Sequence, residues 1–145
     1  MDSLQKLVIE QACARLMNQF AVLNDHGRFS ELAELFVEGA VYARPMAPDA
    51  LIEGRANIRA TFESRPKEKV FRHIISNIVI DVQSPVHATG SCYVLLFSGA
   101  ADKPAEKFGL QALPPQLMGE YQDEFVLTPA GWLFKQRKGR IIFSA

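Results

Sequence analysis

Two hydrophobic patterns divide this chain of 145 residues. From residue 3 to residue 24, apolar side chains recur every three or four positions, which is the spacing of one buried helix face; they are Ile9, Cys13, Leu16, Phe20 and Leu23. Beyond residue 70, long segments rich in β-branched and aromatic residues are separated by Pro, Gly or Thr-Pro-Ala-Gly turns. Helices that come first and strands that follow predict a single α+β domain over residues 1–145.

Turn and capping residues divide the first half of the chain into three helices and a short strand. Gly27 can end the first helix in a left-handed conformation, and Ser30 can cap a second helix. That second helix has its own apolar stripe, which consists of Leu32, Leu35 and Phe36. The segment AVYARP is predicted to be a strand that ends at Pro45. A third helix begins after Gly54, ends at Pro66 and has two inward-facing residues, Ile58 and Phe62.

The second half of the chain is predicted to form strands with the sequences FRHIISNIVIDV, SCYVLLFSG, QLMGEYQDEFVL, GWLFKQRK and RIIFS. Residues 93–97, YVLLF, are apolar on both faces of their strand. We therefore expect another subunit to cover the outer face of the sheet, in a homodimer or a higher homo-oligomer. The long connection at residues 99–116 is either a lid over a binding site, or a flexible crossover or subunit contact.

Composition and charge exclude several classes of function. The formal net charge is zero, so a general polyanion binder is not expected, and we interpret the basic run KQRKGR as a charged edge strand rather than a nucleic-acid site. No apolar run approaches the roughly 20 residues of a membrane-spanning helix, and MDSLQK does not resemble a signal peptide. We therefore expect a cytoplasmic protein that contacts no membrane. Cys13 and Cys92 are isolated and are predicted to be free, buried thiols.

Asp25 stands in the last turn of the first helix, where its charge is unfavourable. A carboxylate there faces the partly negative end of the helix macrodipole, where Lys or Arg is preferred. Asp25 continues a second lane of small and apolar residues, Ala14, Met17 and Ala21, which predicts that its side chain points inward. Burial disfavours an ionised carboxylate unless a cation or hydrogen-bond donors compensate. Alternatively, Asp25 or Asn24 ends the helix at the surface and caps the next one.

Strand alternation supplies possible partners for Asp25. In FRHIISNIV, one face of the strand carries Phe71, His73, Ile75, Asn77 and Val79. In GEYQDEF, the inward face carries Tyr121 and Asp123 with Leu117, Phe125 and Leu127, and the outward face carries Glu120, Gln122 and Glu124. The polar residues of the inward faces are therefore predicted to converge with Asp25 in an apolar interior, as in small-molecule sites. A β-bulge in either strand would reverse its faces.

The order of these segments resembles the SnoaL-like branch of the nuclear-transport-factor-2-like superfamily. The resemblance rests on a helical hairpin with an Asp-x-Gly turn, followed by LAELF, VYARP, GRANIRATF, FRHIISN, GEYQDEF and a final strand that contains GW. It extends over nearly the whole chain. It implies a cystatin-like cone, in which a curved mixed, mainly antiparallel sheet wraps around three N-terminal helices and leaves a deep pocket.

Among the enzymes of this superfamily, the chain resembles the scytalone dehydratases. That resemblance implies a general acid/base pair made of an Asp at the end of the first helix and a His on the strand after the third helix, which are Asp25 and His73 here. Two positions differ from those enzymes, because Asn24 replaces a Tyr and residues 96–98 lack a second His. Tyr42 can take the place of a Tyr on the first strand. The residues expected to contact a substrate are Phe20, Tyr42, Asn77, Tyr121 and Asp123.

The sequence therefore predicts a cofactor-independent lyase of the dehydratase type, or an isomerase, that acts on a hydrophobic cyclic or aromatic small molecule. Asp25 would fix the tautomer of His73, and His73 would take a proton from the carbon next to a carbonyl. A tyrosine or Asn77 would stabilise the oxyanion that forms. We expect no metal and no cofactor, because the three His lack metal-ligand spacing and no Gly-rich phosphate loop is present. His26 and His87 are expected to be solvated. The alternative is a non-catalytic small-molecule-binding or assembly module, since such a fold implies a pocket more than a reaction.

Overall fold

The computed structural model describes residues 1–145. The elements are α1 (Ser3–Asp25), α2 (Phe29–Ala33), β1 (Phe36–Ala43), β2 (Ile52–Glu53), α3 (Arg55–Glu63), β3 (Lys69–Ser84), β4 (His87–Ala100), β5 (Leu113–Thr128) and β6 (Gly131–Ser144). The strands form one mixed sheet in the order β2-β1-β6-β5-β4-β3, in which β1 and β6 are parallel and the other neighbours are antiparallel. The sheet is curved and open, and the three helices pack against it. This confirms the predicted α+β fold class.

Local hydrogen bonds define both ends of α1. At the start, Asp2 and Gln5 form a capping box, in which each side chain accepts a hydrogen bond from the other residue's backbone N–H. At the end, Gly27 has φ +68°, which allows its N–H and that of Arg28 to donate to the carbonyls of Asn24 and Leu23. This pair of bonds is a Schellman motif. Gly27 therefore ends the helix as predicted, and Asp25 is its last residue.

An aromatic cluster fills the space between α1 and the sheet. The ring of Phe20 is buried, and its centroid lies between 5.7 and 6.2 Å from the centroids of Phe36, Tyr42, Phe62, Tyr121 and Phe134. Burying one such side chain stabilises the fold by about 1.5–3 kcal/mol, and edge-to-face pairs add to this. Ile58 and Phe62 of α3 are both buried, as predicted. Cys13 and Cys92 are free and buried, also as predicted.

A bulge in β3 reverses the faces of this strand. Ser76 pairs with Tyr93 and Val79 pairs with Ser91, so β3 has one more residue than β4 between these pairs. Asn77 lies in the bulge with φ +53°, a conformation that Asn tolerates better than most residues. Beyond it the residues that pack against the core are Ile78, Ile80 and Val82. The predicted inward orientation of Asn77 and Val79 is therefore wrong, and both side chains are exposed.

The second helix is shorter than the sequence predicted. It ends at Ala33, and Phe36 already belongs to β1, where it pairs with Phe134 of β6. Leu35 lies between these two elements, so the predicted helical stripe does not form. Ser30 lies inside α2 and does not cap it, because the helix begins at Phe29 with Arg28 at the N-cap position, two residues before Ser30. Phe36 packs in the aromatic cluster instead. Most of the other members of this cluster come from distant parts of the chain, so a local pattern cannot predict this packing.

The two last predicted strands, GWLFKQRK and RIIFS, form one continuous strand. This strand, β6, lies between β1 and β5, so the interpretation of KQRKGR as an edge strand is wrong. Arg137 is fully buried, whereas Lys135 and Arg140 form ion pairs with Glu124 and Glu120 of β5. Those glutamates point away from the core as predicted. Leu127, by contrast, is 44% exposed, since it lies beside the β5–β6 turn.

The connection between β4 and β5 spans residues 101–112. Leu110 lies against the backbone of Gly99, whereas Phe108 is 93% exposed and covers no apolar surface. Phe108 therefore does not act as part of a lid over a binding site in this arrangement. None of the helices is both long and apolar enough to cross a membrane.

Candidate active site

Asp25 and His73 form a hydrogen-bonded pair where α1 meets β3. Oδ1 of Asp25 lies 2.5 Å from Nδ1 of His73, and Oδ2 accepts a hydrogen bond from the backbone N–H of His73 at 3.0 Å. Only 6% of the Asp25 side chain and 12% of the His73 side chain are exposed. Because one carboxylate binds both the ring and the backbone, the imidazole is held in one orientation. Nε2 is then the ring nitrogen that remains free for a ligand.

His73 lines a cavity of about 220 Å³. The apolar side chains around it are Pro45, Met46, Phe62, Phe71, Val94, Leu96, Leu117 and Ile141. The polar ones are Asn24, Tyr42, Arg44, Thr61, Arg65 and Tyr121. Arg44 and Met46 are exposed, so the cavity reaches the surface beside them. Mainly apolar walls with a few convergent polar groups are typical of sites for organic small molecules.

Two phenols, from Tyr42 of β1 and Tyr121 of β5, line the cavity and are buried. Burial raises the pKa of Tyr42 well above its ordinary value, and the neighbouring Tyr121 adds to this effect. Burial also raises the pKa of Tyr121, although the positive charge of Arg137 opposes it. Both hydroxyl groups therefore keep their protons at neutral pH and can donate hydrogen bonds to a ligand oxygen.

Arg65 lies just after α3 and also lines the cavity, and the sequence reasoning missed it. Its Nη1 donates a hydrogen bond to Oδ1 of Asn24 at 2.5 Å. The guanidinium lies over the ring of Phe71, 4.7 Å from its centroid, and 5.6 Å from the centroids of Phe29 and Phe62. Burial lowers the pKa of Arg65, and the neighbouring Tyr42 and Asp25 act in the opposite direction. The only sequence signal at this position, the Arg-Pro step, marked the end of a helix and gave no reason to expect a site residue.

Behind Tyr121, Arg137 and Asp123 form a buried ion pair outside the cavity. Nε of Arg137 lies 3.4 Å from Oδ1 of Asp123, and neither side chain is exposed. The guanidinium lies 3.8 Å from the centroid of Tyr121 and 4.4 Å from that of Phe20. Neither carboxylate oxygen of Asp123 has a hydrogen-bond partner in the protein. Burial raises the pKa of Asp123 to about 7, while Arg137 acts to lower it.

The structure brings some of the predicted site residues together and separates others. His73, Tyr42 and Tyr121 line one cavity, and Asp25 contacts His73 from behind. Phe20 lies in the aromatic cluster behind the cavity and does not line it. Asp123 points inward as predicted but binds Arg137, and Asn77 is exposed beyond the bulge. Of the predicted substrate contacts, only the two tyrosines therefore face the cavity.

The other two histidines lie outside the cavity. His26 is exposed, as predicted. His87 is partly exposed, and its Nε2 lies 3.0 Å from Oε1 of Glu124, so it is only partly solvated. No group of three or more His, Cys, Asp or Glu side chains is close enough to hold a metal ion.

Residues 5–138 match a family model described as a SnoaL-like domain. No protein of curated function is significantly similar to this chain.

Three solved structures illustrate the similarity of the fold. A protein from Novosphingobium aromaticivorans DSM 12444, provisionally assigned as a scytalone dehydratase, is 26% identical with a TM-score of 0.83, and the match covers 99% of this chain and 91% of that one. An NTF2-like protein with a cystatin-like fold from Novosphingobium aromaticivorans is 22% identical with a TM-score of 0.75, over 96% and 85% of the two chains. A hexachlorocyclohexane dehydrochlorinase, LinA type 2, is 15% identical with a TM-score of 0.79, over 99% and 92%.

Proposed function

We propose that this chain, which belongs to the SnoaL-like domain family, is a cofactor-independent acid/base lyase or isomerase. Its substrate is a hydrophobic cyclic or aromatic small molecule. The observation that carries this proposal is the Asp25–His73 pair. Asp25 binds Nδ1 of His73, so Nε2 is free, and His73 lines a mainly apolar cavity. Two structural neighbours are named for eliminations, of water in one case and of hydrogen chloride in the other. Both reactions need a base that takes a proton from carbon.

The geometry supports the following sequence of steps. Nδ1–H of His73 donates to Asp25, which leaves the lone pair of Nε2 free to take a proton from the carbon next to a carbonyl. The carboxylate of Asp25 stabilises the imidazolium that forms. The electron pair of the broken C–H bond moves onto the carbonyl oxygen, where the hydroxyl groups of Tyr42 and Tyr121 can donate to the oxyanion.

The fate of the proton on His73 then decides the class of reaction. If Nε2 returns it to a hydroxyl group on the neighbouring carbon, the enolate expels water and a double bond forms. If Nε2 returns it to another carbon, the double bond moves and the enzyme is an isomerase. Leu96 pairs with His73 across β3 and β4 and lines the same cavity, so an apolar side chain occupies this wall. In this mechanism one imidazole both removes and returns the proton.

Proton exchange with solvent tests the first step without knowledge of the substrate. The protein is incubated in deuterium oxide with a panel of cyclic and aromatic ketones, including tetralone, and loss of the proton signals next to the carbonyl is followed by NMR. We expect the wild type to accelerate exchange in at least one ketone. His73→Gln and Asp25→Asn should each reduce the rate by a factor of about 10²–10⁴, which is the usual contribution of a positioned base.

His87→Gln serves as the matched control, because His87 also pairs with a carboxylate but lies outside the cavity. It should exchange protons at the wild-type rate. Exchange that persists in both His73→Gln and Asp25→Asn would contradict the assignment of the base. Binding of a ketone in the cavity can be detected by changes in the NMR signals of Tyr42 and Tyr121. If ketones bind there but none exchanges its protons with solvent, a non-catalytic binding module is favoured instead.

We also propose that the protein is a homodimer that pairs through the outer face of its sheet. The strand register places four apolar residues side by side across β3, β4, β5 and β6; they are Ile74, Leu95, Met118 and Phe143. Ile74, Leu95 and Phe143 are between 41% and 69% exposed. A contiguous apolar row on a sheet face favours coverage by another subunit.

A further inference from the structure

Arg65 is a half-buried cation without an anionic partner. It takes part in none of the ion pairs of the protein. Its hydrogen bond goes from Nη1 to the neutral amide of Asn24. The carboxylate of the neighbouring Asp25 binds His73 with both of its oxygens. The edge of the guanidinium formed by Nε and Nη2 therefore has no partner in the protein.

The charges around the cavity are of one sign. Arg44 and Arg65 line it, and no Asp or Glu does. A guanidinium stays charged even when it is partly removed from water, and the interaction between opposite charges is stronger there than in bulk solvent. The cavity is thus complementary to a ligand with a negative charge, although its walls are mainly apolar.

A neighbouring cleft, which Asp25 helps to line, extends this positive surface. It shares Asn24, Arg65 and Phe71 with the cavity and adds Lys67 and Lys69. The acidic residues of the cleft are already paired: Glu31 with Arg28, Glu63 with Arg59, and Asp25 with His73. Arg65, Lys67 and Lys69 have no such partners, so the unpaired charges of the cleft are positive. Such a surface attracts anions and raises their local concentration.

We propose that the natural substrate carries a carboxylate, which the free edge of Arg65 binds while His73 acts on a nearby carbon. The two parallel N–H groups of that edge match the two oxygens of a carboxylate, a geometry that a single phenolate or enolate oxygen cannot use in full. Phe62 and Phe71, which lie near the guanidinium and line the cavity, then contact the apolar ring system of the ligand. The inference rests on the proposed function, because it takes the cavity as the substrate site.

Two isosteric probes, naphthoate and its neutral amide naphthamide, test this inference by isothermal titration calorimetry. The wild type should bind naphthoate more tightly by about tenfold or more, since a hydrogen bond to a charged group exceeds a neutral one by about that margin. Arg65→Gln should abolish this preference, and Arg65→Lys should retain part of it, because it keeps the charge but not the planar fork. The thermal unfolding of each variant shows whether it is folded.

Two control variants separate direct contact from general charge. Arg72→Gln removes an exposed arginine that does not line the cavity and should bind both probes as the wild type does. Arg44→Gln removes the other cavity arginine, which is exposed, and should reduce the preference less than Arg65→Gln.

Equal affinities in the wild type, binding of neither probe, or a preference that survives in Arg65→Gln would each overturn the inference. None of these results affects the proposed function, which depends on proton exchange by His73. Conversely, if the wild type exchanges no protons in any ketone, the proposed reaction is contradicted, but the cavity can still bind a carboxylate. A phenolate probe such as nitrophenolate tests the choice of carboxylate. If it binds the wild type as tightly as naphthoate does, and if Arg65→Gln weakens its binding, the choice of carboxylate is overturned.

Discussion

At the scale of single residues, the buried pair of Asp123 and Arg137 gives the protein a characteristic response to pH. The raised pKa of Asp123, about 7, lies above the value of 3.8 that an unperturbed Asp has in an unfolded chain. Between these values the folded protein holds a proton that the unfolded chain has lost. Stability from this residue is therefore greatest at the acidic end of the window, falls as the pH rises through it, and levels off above it.

We expect Asp123→Asn to remove this pH dependence, since an amide does not titrate. The free energy of unfolding in urea, measured between about pH 4 and about pH 8, should fall more steeply with pH in the wild type than in the variant. Asp81→Asn, at an exposed position in β3, serves as the control and should follow the wild type. Parallel curves for the wild type and Asp123→Asn would show that Asp123 stays ionised throughout.

Gly139 allows a close contact at the cavity wall. A Cβ atom there would lie 2.6 Å from Cγ of Pro45 and 2.9 Å from the ring of Tyr121, and both of those residues line the cavity. We expect Gly139→Ala to destabilise the protein by about 1–3 kcal/mol through overpacking and to weaken ligand binding as well. Gly39→Ala is the matched control, because a Cβ atom there meets nothing within 4 Å. Urea unfolding and titration calorimetry measure the two effects, and equal behaviour of both variants would contradict the contact.

The candidate site was predictable from the sequence only in part. Asp25 was recognisable because a carboxylate in the last turn of an apolar helix is unfavourable, and strand alternation correctly placed His73, Tyr121 and Asp123 inward. Arg65 and Arg137 were missed for a different reason. An arginine in a polar stretch has no pattern of its own, and its burial depends on aromatic rings from distant segments.

At the scale of secondary structure, the bulge in β3 determines which residues face the helices. It allows His73 on one side of Asn77 and Ile78, Ile80 and Val82 on the other to point to the same face of the sheet. A strand with strict alternation would turn either the histidine or the three apolar residues outward. The helix α1 and the side-chain alternation of β3 before the bulge follow from local patterns, but a single extra residue does not, because no local signal distinguishes it.

We expect the bulge to tolerate Gly but not a β-branched residue at position 77. Asn77→Val forces a β-branched side chain into a positive φ and should destabilise the protein by about 1–3 kcal/mol. Asn77→Gly should be neutral or slightly stabilising, because Gly adopts this conformation without steric strain. Ser76→Val, at the neighbouring exposed position, controls for strand propensity. If Asn77→Val were as stable as Ser76→Val in urea unfolding, the bulge would not lie at this residue.

At the scale of the whole molecule, the outer face of the sheet has an apolar row bordered by charge. Next to the row formed by Ile74, Leu95, Met118 and Phe143, the ion pair between Glu120 and Arg140 lies beside Tyr93. The apolar outer face was predictable from YVLLF, which is apolar on both faces. Only one face of a strand can pack on the core of its own domain, so the other apolar face is left at the surface. Its extension over four strands follows from the register, which the sequence does not reveal.

We expect Leu95→Glu to convert a dimer into a monomer, since it places two like charges in a buried interface. The molar mass from light scattering after size-exclusion chromatography measures this directly. Val22→Glu, at a position of α1 that is similarly exposed but far from the row, should leave the mass unchanged. A monomeric wild type, or an unchanged mass of Leu95→Glu, would contradict pairing through this face.

Asp25 and His73 stand 48 positions apart in the chain, one at the end of the first helix and the other on the third strand. A contact of this separation forms only after the loop between the two elements has closed, and loop closure of this kind comes at a cost in chain entropy. A nascent chain that has only its helices therefore lacks the Asp25–His73 pair. In the proposed mechanism the base is therefore complete only after the helix has docked on the sheet, and partly unfolded copies should not catalyse the reaction.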